Sequence, residues 1–422
     1  MLQQNQLTIH RASERRAPPF LSADRQASAP VASVAQIAVM SDLDLIEDEW
    51  RALELCADCT PFQSFEWLAT WQRCIGAPAG VTPAIVTGRR ATGELLFLLP
   101  LAVERTRFIR QLTFLGHALC DYNAPLLAPD FSGHVSADDF RAVWSSMRLL
   151  LQRTAGCQHD LVLLDKMPER VGCQPNPLIA LATMLHPSRA YLTALGEDWD
   201  SFYAEKRSLA TRRRDRTKRK KLAELGGLRV VWPKAPEEIR STLSALFAQK
   251  SRWFARMGIP DLFAQPGHSD FFVSVANAGG RFVHVSRLDV GATCAAASLG
   301  LLFRDCYYHV LASYDDGPVS RFGPGAAHLH ELMSHAISQG CRRFDFTIGD
   351  ESYKRDWADT KINLYDHVSG AGCLGRLAAA AIVARLRAKR WIKNSPLMWT
   401  AASRFRSVLA SIRRRPISDS RG

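Results

Sequence analysis

The stretch of sequence that decides the fold is YYHVLASYDDGPVSRFGPGAAHLHELMSHAISQGCRRFDFTIGDESYKRDW, residues 307–357. Its first part is rich in β-branched and aromatic side chains and ends at the turn DDGP, which predicts a strand. After SRFGPGA, apolar residues recur at helical spacing as far as Gly340, a residue type that commonly ends a helix. Residues 343–347 form a second short strand pattern. A strand, a helix and a strand in this order predict a right-handed parallel crossover.

The glycine loop before the predicted helix is a candidate anion site. Gly323 and Gly325 are small enough to let a phosphate approach the free backbone N–H groups of the first helical turn. Arg321 adds a positive charge beside them. The alternative is an ordinary glycine turn without a ligand, and the residues alone leave both interpretations open.

Residues 321–359 place this loop, the helix, the strand FDF, a glycine, Tyr353-Lys354 and Trp357 in a fixed order. In this order they resemble the acyl-CoA N-acyltransferase (GNAT) superfamily, and most closely its bacterial CelD-type family of cellulose and exopolysaccharide biosynthesis. The resemblance extends over about residues 36–370 and implies two tandem GNAT-like domains. The FemAB-type peptidoglycan transferases share this two-domain plan and use aminoacyl-tRNA.

The resemblance implies acetyl-CoA or another acyl-CoA as a co-substrate. In the superfamily the loop holds the pyrophosphate of CoA, so the implied contacts are Arg321, Gly323, Gly325 and Ala326. Pantetheine would lie between the two splayed strands that flank the helix. Ser320 stands where the superfamily usually has Arg or Gln, and Pro324 supplies no N–H donor.

The composition is that of a globular protein with more than one domain. The chain has 422 residues, of which 47% are hydrophobic, enough for two to three domains with their own cores. No apolar run approaches the roughly 20 residues of a membrane helix. Residues 1–35 are rich in Ser, Ala, Pro and Arg, lack the apolar centre of a secretory signal and are predicted to be disordered. We therefore expect a cytoplasmic protein.

The ten cysteines are scattered, and neither they nor the histidines form a metal-binding pattern. Cys56 and Cys59 are spaced C-x-x-C, but no second pair completes a zinc set. His328, His330 and His335 lack the i, i+4 spacing that a helical zinc site favours. We expect structural thiols and no metal.

Alternating helix and strand patterns predict an α/β fold in which helices cover mixed sheets. Residues 36–190 correspond to a degenerate N-terminal GNAT-like domain, and residues 191–370 to the C-terminal domain, whose final strand we expect at 362–368. No glycine loop precedes the later helix of the first half, so we expect no second cofactor site there. Asp121 and Tyr122 lie in a polar loop that can face the cleft between the domains or form an Asx turn.

The net charge of +13 is concentrated in two segments, and the first is a helix predicted over residues 201–225. Between Ala204 and Leu222 it has ten Lys and Arg against two acids. It can be a solvated helix that bridges the domains, or a patch for an anionic substrate or for cofactor phosphates, with Arg212 and Arg213 as contacts. Nucleic acid is the third interpretation, and we expect it only if tRNA is the donor, because no nucleic-acid motif accompanies the charge.

The second segment is the tail, residues 371–422, predicted to form two basic amphipathic helices broken at residues 394–396. Apolar residues that can share one face are Leu377, Ile382, Val383, Leu386 and Trp391. Such a helix can lie on an anionic membrane surface, pack on its own domain or bind an acidic partner.

Acyl transfer from a thioester to an amine or hydroxyl needs a general base and a donor to the oxyanion. Asp345 alternates with two phenylalanines in a strand, so it should point away from them; it is the first candidate base, unless it is paired with Arg342 or Lys354. Lys354 can also neutralise a phosphate or hold the acceptor. His309 is a second candidate base or a structural histidine. Tyr353 is a candidate general acid toward the leaving thiolate, a role that the resemblance implies.

These observations together predict an acyl-CoA-dependent acyltransferase. The expected acceptor is an amine or hydroxyl on a sugar, a polysaccharide precursor or an envelope metabolite. One alternative is a FemAB-like transferase that uses aminoacyl-tRNA. Another is a non-catalytic accessory protein of exopolysaccharide synthesis that binds anions or lipid. The expected location is cytoplasmic, with peripheral contact at the inner membrane as an option.

Overall fold

The computed structural model of the chain describes residues 27–31, 33–278 and 282–395. Within these ranges the chain forms two large mixed sheets covered by helices, and the predicted α/β fold is confirmed. Elements are labelled in chain order. The disorder predicted for residues 1–26 and the second tail helix predicted after 396 lie outside the described residues.

The first sheet is built by the first half of the chain and one strand from near its end. Its strands are β1 (Ala27–Val31), β2 (Val34–Met40), β3 (Thr82–Arg89), β4 (Leu95–Arg105), β5 (Arg110–Phe114), β6 (Leu126–Leu127), β7 (Leu161–Pro168), β10 (Thr183–Leu185) and β18 (Leu364–Gly370). The spatial order is β1-β2-β3-β4-β5-β7-β18-β10, with β6 on β4. Residues 27–31 were expected to be disordered from their composition, but they pair antiparallel with β2. β8 (Arg170–Val171) and β9 (Gln174–Pro175) form a separate small hairpin.

The second sheet is built mainly by the second half of the chain. Its strands are β11 (Ala190–Ala194), β12 (Leu228–Val231), β13 (Val283–Val290), β14 (Thr293–Phe303), β15 (Cys306–Tyr314), β16 (Arg343–Ile348) and β17 (Thr360–Ile362). The spatial order is β12-β13-β14-β15-β16-β11-β17. β15 and β16 are parallel, so the predicted crossover is confirmed.

Helices cover both sheets. They are α1 (Glu47–Cys56), α2 (Phe65–Trp71), α3 (Phe131–His134), α4 (Ala137–Arg153), α5 (Trp199–Lys206), α6 (Leu209–Glu224), α7 (Pro236–Met257), α8 (His268–Ala278), α9 (Pro324–Ser338), α10 (Ser352–Trp357) and α11 (Gly372–Asn394). The basic helix predicted as one piece is in fact α5 and α6. The break occurs because Arg207 is extended and the Ser208 hydroxyl caps α6, accepting the N–H of Thr211 at 3.3 Å.

One strand of the second half lies in the first sheet. The sequence predicted that residues 362–368 would complete the second sheet, and this was wrong: β18 inserts into the first sheet between β7 and β10. The buried Asp366 holds it there, accepting the backbone N–H of Lys166 at 3.0 Å and contacting His186 Nδ1 at 2.8 Å. β11, at the boundary between the two halves, lies in the second sheet between β16 and β17.

One apolar core joins the two halves. It contains Trp50, Phe62 and Trp67 from the first half, and Phe271 from α8 in the second. Trp67 meets Phe271 edge to face with ring centroids 4.9 Å apart, an arrangement that stabilises aromatic pairs. This shared core places the loop that contains Asp121 and Tyr122 against the second sheet.

The described part of the tail packs on its own protein. α11 contacts β18 and β7, and Gly375 lies so close to them that an added β-carbon would stand 2.0 Å from the carbonyl oxygen of Asp160. At its end, Lys393 donates to Ser188 at 2.6 Å and pairs with Asp350 at 2.7 Å. Among the described helices, α11 included, none is long and apolar enough to cross a membrane.

Candidate active site

The two strands around α9 diverge, as the resemblance implied. β15 and β16 pair only from Cys306 opposite Arg343 to Tyr308 opposite Asp345. Beyond this point β15 continues along β14 as far as Tyr314, while β16 pairs with β11 on its other side. A cleft therefore opens between the strands, toward the glycine loop that follows β15.

β15 carries a bulge in the wall of this cleft. Leu299 pairs with Leu311 and Gly300 with His309, so Val310 is an extra residue in the strand. A bulge residue is left out of the hydrogen-bond ladder. The backbone N–H of Val310 is therefore a candidate hydrogen-bond donor.

Asp345 and Tyr122 meet across the junction between the two halves. The Tyr122 hydroxyl donates to both carboxylate oxygens of Asp345, at 2.8 and 2.9 Å. The backbone N–H of Thr347, a left-handed residue with φ of 57°, donates to the same carboxylate at 2.7 Å. Phe344 and Phe346 pack in the core under α9, so the predicted alternation across β16 is confirmed.

Burial makes the carboxyl group of Asp345 a weaker acid than usual. It raises the pKa of Asp345 to about 7, although the hydrogen bonds from Thr347 and Tyr122 oppose the shift. The neighbouring carboxylate of Asp121 raises the pKa further, and the ammonium of Lys354 lowers it. Asp345 is thus part protonated and part ionised near neutral pH.

Lys354 lies at the centre of the charged groups around Asp345. It is buried, donates to the carbonyl of Ile348 at 2.8 Å and pairs with Glu351 at 3.2 Å. Burial raises the pKa of Asp121, and Lys166 and Lys354 oppose the shift, so Asp121 also belongs to this cluster. The polar loop of the first half therefore faces the junction rather than solvent alone.

Lys250 is a further member of the charged cluster around Asp345, and the sequence analysis did not identify it. It extends from α7 and donates to the carbonyl of Ala312, in the diverging part of β15, at 3.2 Å. Burial lowers its pKa, Glu351 opposes the shift, and Lys354 adds to it. Nothing in the sequence marks it, because a lysine in the middle of a long helix is ordinarily solvated.

The other two candidate catalytic residues lie apart from the Asp345–Tyr122 pair. His309 is buried, its ring centroid lies 5.8 Å from that of Phe344, and its Nδ1 has no hydrogen-bond partner in the described ranges. Burial lowers its pKa to about 3, so it is neutral and a weak base at neutral pH. Tyr353 is 36% exposed and packs edge-on to Phe346, on the face of β16 opposite Asp345. Burial of its hydroxyl raises its pKa, so it remains protonated.

The glycine loop leads directly into α9. Gly323 is left-handed with φ of 67° and caps the helix without a side chain. Pro324 is the first helical residue, a position whose N–H has no partner within the helix, so no donor is lost there. The N–H groups of Gly325 and Ala326 lie in the same first turn. Arg321 is exposed, and its guanidinium stacks on the ring of Phe322 at 4.8 Å.

The basic helix α6 packs against this loop. Lys218 Nζ lies 4.0 Å from the point where a β-carbon would stand on Gly323, and Lys221 Nζ lies 5.8 Å from the ring centroid of Phe322. Arg212 is half-buried and Arg213 is exposed, both in the earlier turns of α6. Lys218 and Lys221, which sequence reasoning did not single out, are the cations that the structure brings to the loop.

No group of three His, Cys, Asp or Glu side chains within the described ranges could hold a metal ion. The cleft and the loop offer instead backbone donors, ammonium groups and two carboxylates of raised pKa, Asp345 and Asp121. Such a set can bind an anion at the loop and move a proton at the point where the strands diverge.

Comparison with known proteins agrees with this geometry. Residues 210–355 match the family described as an acetyltransferase (GNAT) domain, which confirms the GNAT part of the resemblance. No curated protein sequence matches the chain.

Among solved structures, the chain is similar to FemX, with a TM-score of 0.53 and 11% identity over 76% of this chain and 96% of that one. A conserved protein of unknown function from Bacteroides thetaiotaomicron has a TM-score of 0.49 at 12% identity, covering 79% of this chain and 99% of that one. A tandem GNAT protein from the clavulanic acid biosynthesis pathway has a TM-score of 0.45 at 12% identity, covering 80% and 99%. At these identities the likeness is one of fold. Over residues 210–355 the chain contains an acetyltransferase domain of the GNAT type, and by that match it is an acyltransferase.

Proposed function

We propose that the chain transfers an acyl group from acyl-CoA to an amine or hydroxyl in the cleft between β15 and β16. The observation that carries the proposal is the buried Asp345, with a pKa of about 7, at the point where the two strands diverge. A base whose pKa lies near the working pH removes protons most effectively. The GNAT-type match includes both strands and the loop.

The loop and the cleft fit the two parts of a CoA thioester. The first-turn N–H groups of Gly325 and Ala326 can donate to a pyrophosphate oxygen, with the charge of Lys218 nearby. β15 and β16 do not pair with each other beyond Tyr308 and Asp345, and an extended pantetheine chain can lie between two strands that have separated. The carbonyls of His309 and Ala312 in this part of β15 accept hydrogen bonds from Thr347 and Lys250. The position of the basic helix supports its interpretation as a patch for cofactor phosphates.

Each residue near the divergence has a role in the proposed reaction. Asp345 accepts the proton that the amine or hydroxyl loses as it attacks the thioester carbonyl, and Tyr122 holds the carboxylate in place. The N–H of Val310 donates to the carbonyl oxygen as it becomes negative. The thiolate leaves with the electrons of the broken C–S bond and takes up a proton, for which Tyr353 is the candidate donor.

For the acceptor we propose a sugar, a polysaccharide precursor or a related envelope metabolite. The resemblance of residues 321–359 to the CelD-type family supports this choice of acceptor.

A second candidate is transfer from aminoacyl-tRNA. Two observations favour it: the fold similarity to FemX and the basic helix α6 beside the loop. A tRNA donor would place its phosphates along that helix and leave the glycine loop without CoA.

Calorimetric titration with acetyl-CoA and, separately, with CoA tests the proposal. We expect micromolar binding that Gly325→Asp removes, because the new carboxylate would stand in the first turn of α9. The matched control is Gly133→Asp, at a glycine of α3 with open space around it. Absence of binding at millimolar ligand would contradict the proposal, and saturable binding of charged over uncharged tRNA would then favour the second candidate.

A further inference from the structure

A cavity of about 670 Å³ lies at the junction between the two sheets. Its wall is formed by the β10–β11 connection, the end of α7, the loop after β16, the β17–β18 connection and the end of α11. The size lies in the range of cavities that enclose a small molecule. Trp253 and Met257 supply part of an apolar surface, and Tyr191 an aromatic one.

Three guanidinium groups in this wall lack a counter-charge. Within the described ranges, Arg189, Arg355 and Arg390 form no ion pair, whereas Lys393 is paired with Asp350 at 2.7 Å. Burial raises the pKa of the Tyr191 phenol, and the carboxylates of Asp350 and Glu351 add to the shift. Arg355 and Arg189 oppose it, so both guanidinium groups act on the same hydroxyl. Planar guanidinium groups are suited to binding carboxylate or phosphate through two hydrogen bonds.

The cavity adjoins the candidate active site. Gly349 and Glu351 line it, and Glu351 pairs with Lys354 at 3.2 Å. Lys354 in turn is close enough to Asp345 to lower its pKa. Lys354 therefore interacts both with Glu351 in the cavity wall and with the carboxylate proposed as the base.

We propose that this cavity binds the acceptor, and that the acceptor carries an anionic group, phosphate or carboxylate, held by Arg189, Arg355 and Arg390. The apolar part of the wall then receives the uncharged body of the molecule. The assignment of this ligand as the acceptor rests on the proposed acyl transfer, but its binding does not.

Calorimetry without any acyl donor tests the binding, with three sugars as probes. Glucosamine 6-phosphate carries a phosphate, muramic acid a carboxylate, and glucosamine neither. We expect at least one of the anionic sugars to bind ten times more tightly than glucosamine, and Arg355→Ala to weaken that binding by about tenfold or more. Arg153→Ala, at an exposed arginine on α4, is the matched control and should change nothing. Equal binding of all three sugars, or equal behaviour of the two variants, would overturn the assignment.

Titration of the same variants with acetyl-CoA separates the two proposals. Arg355→Ala should bind acetyl-CoA like the unaltered chain, since it lies outside the glycine loop. If the unaltered chain binds the anionic sugar but not acetyl-CoA, acyl-CoA is refuted as the donor and the cavity assignment stays in place. The reverse result would refute the cavity alone.

α11 carries a second, independent feature, which we name the α11 stripe. Its residues follow one another at spacings of three and four, lie on one face of the helix and are all exposed: Leu374, Leu377, Ala381, Ala384, Ala388 and Trp391. The three large side chains are 65%, 68% and 62% exposed. The single apolar face predicted from the sequence is divided, because Ile382, Val383 and Leu386 are half-buried while the stripe is outside.

Cations border the stripe on both sides. At 100° per residue, Arg376 and Arg387 lie along one edge, and Arg385 and Lys389 along the other. α11 contains no acidic residue. An apolar face with Trp and Leu between rows of cations complements the surface of an anionic bilayer.

We infer that the α11 stripe docks on anionic lipid, so that the chain binds a membrane from its surface. Sedimentation of the full chain with vesicles of phosphatidylglycerol and phosphatidylcholine tests this. We expect binding to these vesicles and not to pure phosphatidylcholine, and at least a tenfold loss in the double variant Leu377→Ser, Trp391→Ser. Leu149→Ser, at a 60% exposed leucine of α4, is the control and should bind normally.

Three results would overturn the inference. Unchanged binding of the double variant would show that lipid does not contact the stripe. Loss of binding only when residues 396–422 are deleted would assign the contact to that segment. A dimer in solution that the double variant dissociates would assign the stripe to a second copy of the chain.

Discussion

The two halves of the chain contain the same parallel crossover, and only the second presents a helix start that can receive an anion. β5 and β7 pair in parallel on either side of α4 in the sequence, as β15 and β16 do around α9. In both, the second strand turns left-handed at a non-glycine residue near its end, at Lys166 with φ of 55° and at Thr347 with φ of 57°. The difference between the halves therefore comes from side chains rather than from topology.

The starts of the two helices differ most. α4 is closed by its own side chains, because Ser136 accepts the N–H of Asp139 at 3.2 Å and Asp139 accepts the N–H of Ser136 at 3.2 Å. Two acids also stand in its first turn. α9 begins at Gly323 with no capping side chain and no acid in its first turn. A carboxylate already occupies one helix start, and the other is left for an external anion.

The space beside the first crossover is also occupied. Lys166 Nζ donates to the carbonyls of His117 and Cys120, and its own carbonyl accepts the N–H of Asn123 at 3.1 Å. The loop after β5 is thereby fastened to the end of β7. The first half supplies Tyr122 from this loop to the second half, where its hydroxyl donates to Asp345.

Replacing the carboxylate of the second crossover should have the largest effect. Asp345→Asn keeps an acceptor for Tyr122 but removes the base, so we expect kcat to fall by about 10²–10⁴-fold with acetyl-CoA binding unchanged. The matched control is Asp165→Asn, a carboxylate on β7 that accepts from Asn123 at 3.0 Å. A kcat loss of similar size in Asp165→Asn, or none in Asp345→Asn, would contradict the assignment.

The dependence of kcat on pH should report on the same base, Asp345. Since burial raises the pKa of Asp345 to about 7, half of the carboxyl group is ionised near that pH, and the ionised fraction levels off about one pH unit higher. We expect kcat to decline by about tenfold per pH unit below 7. A kcat that stays constant from pH 5 to 8 would exclude Asp345 as the base.

Placing a carboxylate in the first turn of α9, as α4 has, should weaken cofactor binding. Ala326 occupies the third helical position, as Asp139 does in α4. In Ala326→Asp we expect acetyl-CoA to bind about tenfold more weakly or worse, because the carboxylate repels the pyrophosphate, while the fold is not destabilised. Ala326→Asn is the neutral control, and titration calorimetry with urea unfolding measures both effects. Equal affinity of the two variants would place the phosphates elsewhere.

The smallest effect is expected from removing the side-chain cap at the start of α4. Ser136→Ala removes the side-chain cap of α4 and should lower the free energy of unfolding by about 1 kcal/mol, measured in urea. Binding of acetyl-CoA should not change, because the loop beside β7 stays in place. A second acetyl-CoA site in this variant would mean that the cap alone closes the first half.

Local features of the fold could be predicted from the sequence. The strand predicted at residues 343–347 is found as β16 (Arg343–Ile348), since alternating apolar residues follow a glycine that ends the helix before it. The face of Asp345 followed from strict alternation with Phe344 and Phe346. Such features depend on a few neighbouring residues, and local patterns determine them.

Long-range partners could not be predicted. Tyr122 and Asp345 are 223 residues apart in the sequence, and no periodicity links them. The pattern of residues 362–368 indicated a strand, found as β18 at Leu364–Gly370, but not the sheet to which it belongs. A buried strand has similar residues beside any neighbour. Lys218 and Lys250 were missed for the same reason: each is one lysine among many until the fold brings it to the loop or the cleft.

The insertion of β18 into the first sheet has a consequence for how the chain folds during its synthesis on the ribosome. Domains generally fold as units during synthesis, N-terminal first. Here the strand between β7 and β10 is translated only after the whole acetyltransferase domain, so the first sheet stays incomplete until residue 370 has emerged. We therefore expect the nascent chain to be inactive until β18 has emerged. A shortened gene that encodes only one half should give a chain in which neither half is functional.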